Sequence, residues 1–205
     1  PFADADGVDW ERELFNDGKC DAYGRFWIGT KSADGTQGVA KLYCLEPDGS
    51  FRAVVTGLTL SNGIGWSPDN RVMYHVDSIA RYVYAYEYDG AAGTLSDRRV
   101  LIDFSGQAAL PDGMTVDEEG RLWIAHWGGC CLTRHDPADG RLTARHELPA
   151  SLVTSCIFGG ADGSELFATT AAAELEANLH PEPDGGATFR LRPGVRGRPM
   201  HRFGG

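Results

Sequence analysis

Four stretches of this chain repeat one layout, and that repetition constrains the fold more than any other feature. Residues 14–30 (LFNDGKCDAYGRFWIGT), 60–78 (LSNGIGWSPDNRVMYHVDS), 110–127 (LPDGMTVDEEGRLWIAHW) and 154–171 (TSCIFGGADGSELFATTA) share it. Each begins with a small polar step, turns near an acidic residue and leaves as an alternating strand. The turn residues Asp21, Asp69, Asp117 and Asp162 lie 48, 48 and 45 residues apart. A period in the forties with several short strands per copy is the pattern of a β-propeller. A second set of Asp-Gly steps, Asp48-Gly49, Asp89-Gly90 and Asp139-Gly140, follows further alternating segments. These are expected to join the third and fourth strands of a blade. The expectation is all-β: a single propeller domain with about four blades, at 14–58, 59–108, 109–153 and 154–205. Four blades close only as a small ring, or they form part of a larger one.

Bulk properties narrow the function classes. The chain has 205 residues and 42% hydrophobic content, enough for one sizeable core. A net charge of −10 leaves no basic face for nucleic acid. The one basic cluster, from Arg190 to Arg202, is broken by Pro and Gly and reads as a solvated tail. Five cysteines, an odd number without CxxC spacing, imply reduced, mostly buried thiols and a cytoplasmic setting. No run approaches the ~20 apolar residues of a membrane span. No secretory signal is visible, although the chain begins with Pro1 and not Met. Residues 171–178 read as a turn or two of helix. Tyr82, Tyr84, Tyr86 and Tyr88, at a period of two, line one face of a strand.

The candidate site follows from the repeat. In a propeller the first strand of each blade lines the central channel. Equivalent positions then carry Asn16 or Asp17, Asn62, Asp112 and Ser155, which converge near the axis. Asn and Asp oxygens gathered in one place suit a hard divalent cation, Ca2+ first among them. The Gly after each is expected to allow a sharp turn at the channel rim. Asn-Gly or Asp-Gly alone is an ordinary turn; equivalence across copies is what points to a site. Leu110-Pro111 ahead of Asp112 implies partial burial, and a buried carboxylate needs a cation. The six histidines show no HxH or HExxH spacing, and His126 is expected in the core. Cys156 reads as a buried small residue, and Asp77 either orients the Asn62 region or ends a strand.

Taken together, FNDGKCDAYGRFWIGT, LSNGIGWSPDNRVMYHVDS, LPDGMTVDEEGRLWIAHWGG, TSCIFGG and GVRGRP resemble the regucalcin, gluconolactonase and senescence-marker-protein family of six-bladed propeller lactonases. The resemblance spans nearly the whole chain. It implies a six-bladed ring, of which the N-terminal blades are expected upstream of this chain. It also implies one central divalent cation, with Zn2+, Mg2+, Mn2+ or Fe2+ as alternatives to Ca2+. The implied activity is hydrolysis of a sugar lactone such as gluconolactone. The family's metal ligands fall on Asn62 and Asp112, Asp112 also being its acid/base, and its substrate-binding Asn falls on Asn16. There are two departures. The family's Glu ligand lies well upstream of FNDGK, farther than Glu11 or Glu13. The family's Arg two residues before the substrate Asn is Leu14 here, with Arg12 nearby. The alternatives are a calcium- or small-ligand-binding propeller without turnover, or an inactive fragment of a lactonase. No membrane or nucleic-acid partner is expected.

Overall fold

A computed structural model describes residues 7–172 and 182–205. Fifteen strands, β1 to β15, make four antiparallel sheets in simple sequential order, and no helix occurs among the described residues. The first sheet holds β1 (Glu13–Cys20), β2 (Phe26–Ser32), β3 (Ala40–Leu45) and β4 (Phe51–Leu58). The second holds β5 (Ser61–Trp66), β6 (Val72–Asp77), β7 (Tyr82–Asp89) and β8 (Thr94–Asp103). The third holds β9 (Leu110–Val116), β10 (Leu122–Trp127), β11 (Cys131–His135) and β12 (Leu142–Glu147). The fourth holds β13 (Val153–Gly159), β14 (Glu165–Thr170) and β15 (Thr188–Leu191). The arrangement is a four-bladed array of propeller type. Asp48-Gly49, Asp89-Gly90 and Asp139-Gly140 sit at the junctions of the third and fourth strands, as their turn chemistry dictates. Most of the helical turn expected at 171–178 lies outside the described residues.

The core consists of three layers between successive blades. Trp27, Leu42 and Leu58 of the first sheet meet Ile64, Trp66, Met73 and Tyr88 of the second. Tyr74, Val76 and Val83 meet Met114, Leu122 and Ile124 in the next layer. Trp123 and Leu132 meet Cys156, Phe158 and Leu166 in the last. Each blade therefore buries its apolar face only against a neighbour, which is why a single copy is not a folding unit. Tyr86 and Tyr88 are buried in the first layer, while Tyr82 and Tyr84 are partly exposed along the same strand.

Two of the four turn aspartates act as buried anchors. Asp21 accepts from the backbone N–H groups of Tyr23 and Arg25 and from the Trp27 indole at 2.8 Å. Asp117 repeats the pattern with Glu119, Arg121 and the Trp123 indole at 2.9 Å. Both side chains are fully buried, and Arg25 and Arg134 neutralise them. Tyr88 reaches across from the second blade to donate to Asp21 at 2.5 Å. The strand ends place Ser67 and Gly160 at the corresponding positions in the other two blades. Asp69 and Asp162 are exposed, two residues farther on, which corrects the alignment of the repeat. The cause lies six residues downstream. Met73 and Leu166 stand where the anchored blades have Trp, so no indole N–H seeks a buried carboxylate. The Ser67 hydroxyl suffices there, accepting from the N–H groups of Arg71 and Val72.

The basic C-terminal stretch is docked, not a solvated tail. The Glu118 N–H donates to the Arg196 carbonyl, Gly197 bridges to Asp117, and the Gly197 N–H donates to Gly163. The Arg198 guanidinium donates to the carbonyls of Ser67 and Pro68, at 3.2 and 3.0 Å. The Gly204 N–H donates to Gly24. The segment thus straps the turn ends of all four sheets. A guanidinium offers several donors in a fixed fork, which suits the free carbonyls of such turns.

Candidate active site

Equivalent strands β1, β5, β9 and β13 lie side by side along the inner face. Each carries an irregularity at the same height. Asn16 and Asp17 stand opposite the single residue Gly29, Asn62 and Gly63 opposite Val76, and Asp112 and Gly113 opposite Ala125. β13 carries its own register shift at Thr154. A β-bulge adds one residue to a strand and re-aims its side chains. Three matched bulges therefore turn Asn16, Asn62 and Asp112 to the same side. All three line one cavity of ≈ 560 Å³, together with Asp17, Lys31, Thr154 and Ser155 and a wall of Leu60, Leu110 and Trp127.

The glycines serve a purpose other than the expected sharp turn. Neither Gly63 nor Gly113 has a positive φ. They are the points where inner strands touch. A Cβ on Gly63 would stand 2.5 Å from the Met114 nitrogen, and one on Gly113 would stand 2.7 Å from the Ser155 Cα. Gly29 leaves a matching notch for the Ser61 hydroxyl. Gly113→Ala is expected to force β9 from β13 and cost about 1–3 kcal/mol, the usual penalty for overpacking. A denaturant midpoint equal to that of the unmodified chain would contradict this packing role.

Electrostatics distinguish the floor from the walls. The Asp112 carboxyl is pushed up to about 7, first by burial and then by the nearby Asp17 charge. The Asn62 side chain and the Gly113 N–H pull the other way. Burial also raises Asp17, against the pull of Lys19 and the Gly18 N–H. Lys19 runs across the inner face from β1 and donates to the Met114 carbonyl on β9 at 2.7 Å. Burial lowers its pKa, while Asp17 opposes that shift.

Hydrogen bonds brace the strands behind the site. The Asn62 amide donates to Ser78 at 3.0 Å, and the Asn16 amide donates to the Ser61 carbonyl at 2.9 Å. Asp77 accepts from the N–H groups of Thr59 and Leu60, so it fixes the entry to β5. The buried pair of Ser61 Oγ and His75 Nε2, 2.7 Å apart, holds the same strand from beneath. Burial holds His75 down to about 3.

Sequence reasoning missed Lys31, because nothing local marks a strand lysine as facing a channel. Leu14 lies opposite Lys31 in the β1–β2 ladder, and neither Leu14 nor Arg12 lines the cavity. Glu13 does not line it either. Its buried carboxylate accepts from Lys41 at 2.5 Å and from Thr30 at 2.8 Å. His126 is buried against Thr133 and Phe104. Cys156 is buried, its thiol pushed up to about 12 chiefly by desolvation, which makes it a poor nucleophile. No group of three or more His, Cys, Asp or Glu side chains is arranged for a metal among the described residues. The oxygen-rich set of Asn62, Asp112 and Asp17 nevertheless fits a hard divalent cation, whose charge would relieve the repulsion between the two carboxylates.

The whole-chain comparisons follow the same lines. The family described as "SMP-30/Gluconolactonase/LRE-like region" matches residues 1–172. Regucalcin of Danio rerio is 43% identical over 93% of this chain and 66% of its own length. The structure of a calcium-binding protein, regucalcin, from Agrobacterium tumefaciens superposes with a TM-score of 0.87 at 30% identity. That match covers 95% of this chain and 66% of the other. A gluconolactonase from Xanthomonas campestris, at 27% identity and a TM-score of 0.66, covers 82% of this chain and 60% of its own. The chain spans about two thirds of the length of these regucalcins. With the repeat, the bulged inner strands and these matches in agreement, the chain belongs to the SMP-30/gluconolactonase/LRE-like family.

Proposed function

We propose that this chain carries the catalytic floor of a sugar-lactone hydrolase that works with one divalent cation. The observation behind the reading is the convergence of Asn16, Asn62 and Asp112 on one cavity through matched bulges in three strands. Asn62 and Asp112 would hold the cation through oxygen, with Asp17 beside them. A bound cation polarises an ester carbonyl and stabilises developing negative charge. Asp112 takes a proton from the attacking water as the hydroxide adds to the lactone carbonyl carbon. It returns that proton to the ring oxygen when the carbon–oxygen bond breaks, leaving an open-chain hydroxy acid. Asn16, its amide nitrogen tied to Ser61, keeps its oxygen for a sugar hydroxyl. Leu60, Leu110 and Trp127 cover the apolar face of the sugar ring. The five cysteines, none of them in a disulfide, suit a reducing compartment such as the cytoplasm.

A second reading, cation binding without turnover, needs only the paired carboxylates and amides. The description of the Agrobacterium relative as calcium-binding favours it. Hydrolysis of glucono-1,5-lactone followed by pH-stat, with Ca2+, Zn2+, Mg2+ or Mn2+ added in turn and after chelation, separates the two. Turnover that rises with a cation and falls with chelator is expected. Cation binding by calorimetry without turnover would leave only the second reading, and neither would remove both.

A further inference from the structure

Lys31 stands where two cavities meet. The ≈ 560 Å³ site cavity and a neighbouring one of ≈ 230 Å³ share Lys31 and Leu60 in their walls. The second is lined also by Ser32, Gln37, Thr59 and Ile79. The backbone of Lys31 is held from both sides, by the pairing with Leu14 and by an isolated bridge to Leu60. Its side chain is exposed, and among the described residues no carboxylate pairs with its ammonium. Lys41, on the adjacent strand, is committed to Glu13, and Lys19 to the Met114 carbonyl. An unpaired cation at the mouth is conspicuous on a chain of net charge −10, whose field repels anions.

We propose that Lys31 makes the site selective for sugar lactones bearing a second, anionic group: a carboxylate on the carbon farthest from the lactone carbonyl. The inference rests on the lactonase reading. The lactone carbonyl sits over Asp112, and the far end of the carbon chain runs toward Lys31 and the side cavity. A neutral hydroxymethyl gains only an ordinary hydrogen bond from the ammonium. A carboxylate gains a charge-assisted one, which is roughly twice as strong.

The test uses two lactones that differ only at that carbon, galactono-1,4-lactone and galactaro-1,4-lactone. The unmodified chain is expected to favour the carboxylate-bearing lactone in kcat/KM. In Lys31→Met the ratio of the two should fall about tenfold, the loss of one charge-assisted contact. Lys31→Arg should keep most of the preference. Raised salt should erode the preference of the unmodified chain, because an exposed charge is screened, and should not lower the ratio in Lys31→Met, where only the repulsion by the acidic chain is left to screen. Equal losses on both lactones in Lys31→Met, with the ratio intact, would overturn the assignment. Calorimetric binding of the open-chain acids galactarate and galactonate needs no turnover. If neither lactone is hydrolysed, the lactonase reading falls and binding alone decides. Tighter galactarate binding that is lost in Lys31→Met keeps the anion site, whereas equal binding removes it.

Discussion

Asp112→Asn is expected to lower lactone hydrolysis by about 10²–10⁴-fold, the range supplied by a positioned acid/base. Asn keeps the shape of the side chain and one oxygen, so the bulge in β9 and the contact with Asn62 survive. The proton carrier does not. Stability is expected to hold or rise. The Asp112 carboxyl is lifted to about 7 in the fold, so its ionised form is disfavoured there. The sign follows from proton linkage: the stabilisation by the protonated group is complete below the unfolded value of about 4 and is lost as pH rises through about 7. Without added cation, the melting temperature of Asp112→Asn should therefore gain on the unmodified chain as pH rises across that window. Retention of full activity by a folded Asp112→Asn chain would remove Asp112 from the mechanism.

Asp117→Ala is expected to be the most damaging single change to stability. It strands the Trp123 indole N–H and two backbone N–H groups, and it leaves the Arg134 guanidinium only the exposed Glu119, all near the layer between the third and fourth blades. Breaking a buried ion pair by removing one member costs about 3–5 kcal/mol. In a chain of this size each kcal/mol moves the melting temperature by roughly 2–4 °C. A fall on the order of 10 °C is the expected calorimetric result. Asp69→Ala, at the turn residue of the second blade, should change stability by no more than about 0.5 kcal/mol, because Asp69 is exposed. Equal losses in the two variants would mean that the turn aspartates are equivalent after all.

The contrast between Asp117 and Asp69 shows how far the repeat was legible. Both follow a strand, both precede an alternating segment, and their spacing to Asp21 looks regular. What separates them is the residue six places after the anchor, Trp in two blades and Met or Leu in the others. The docking of the basic C-terminal stretch is illegible in the sequence for a related reason. Its partners are turn carbonyls of Ser67, Pro68 and Gly24, groups that carry no sequence signal.

The sequence by itself determined the all-β repeat, the turns between third and fourth strands, and the equivalence of Asn16 or Asp17 with Asn62 and Asp112, whereas in the fourth blade the irregularity falls on Thr154, one residue before the expected Ser155. Those are periodic or local properties, and hydrophobic alternation and Asp-Gly chemistry report them directly. Only the tertiary structure decided that Asn-Gly and Asp-Gly at those places are bulges within strands, with glycine required for contact between strands. Only it placed Lys31 at the mouth, across the ladder from Leu14. Bulge register is set by pairing with the second strand of the same blade, and the approach of inner strands by residues of the next blade, such as Met114 for Gly63 and Ser155 for Gly113; no local pattern encodes either neighbour.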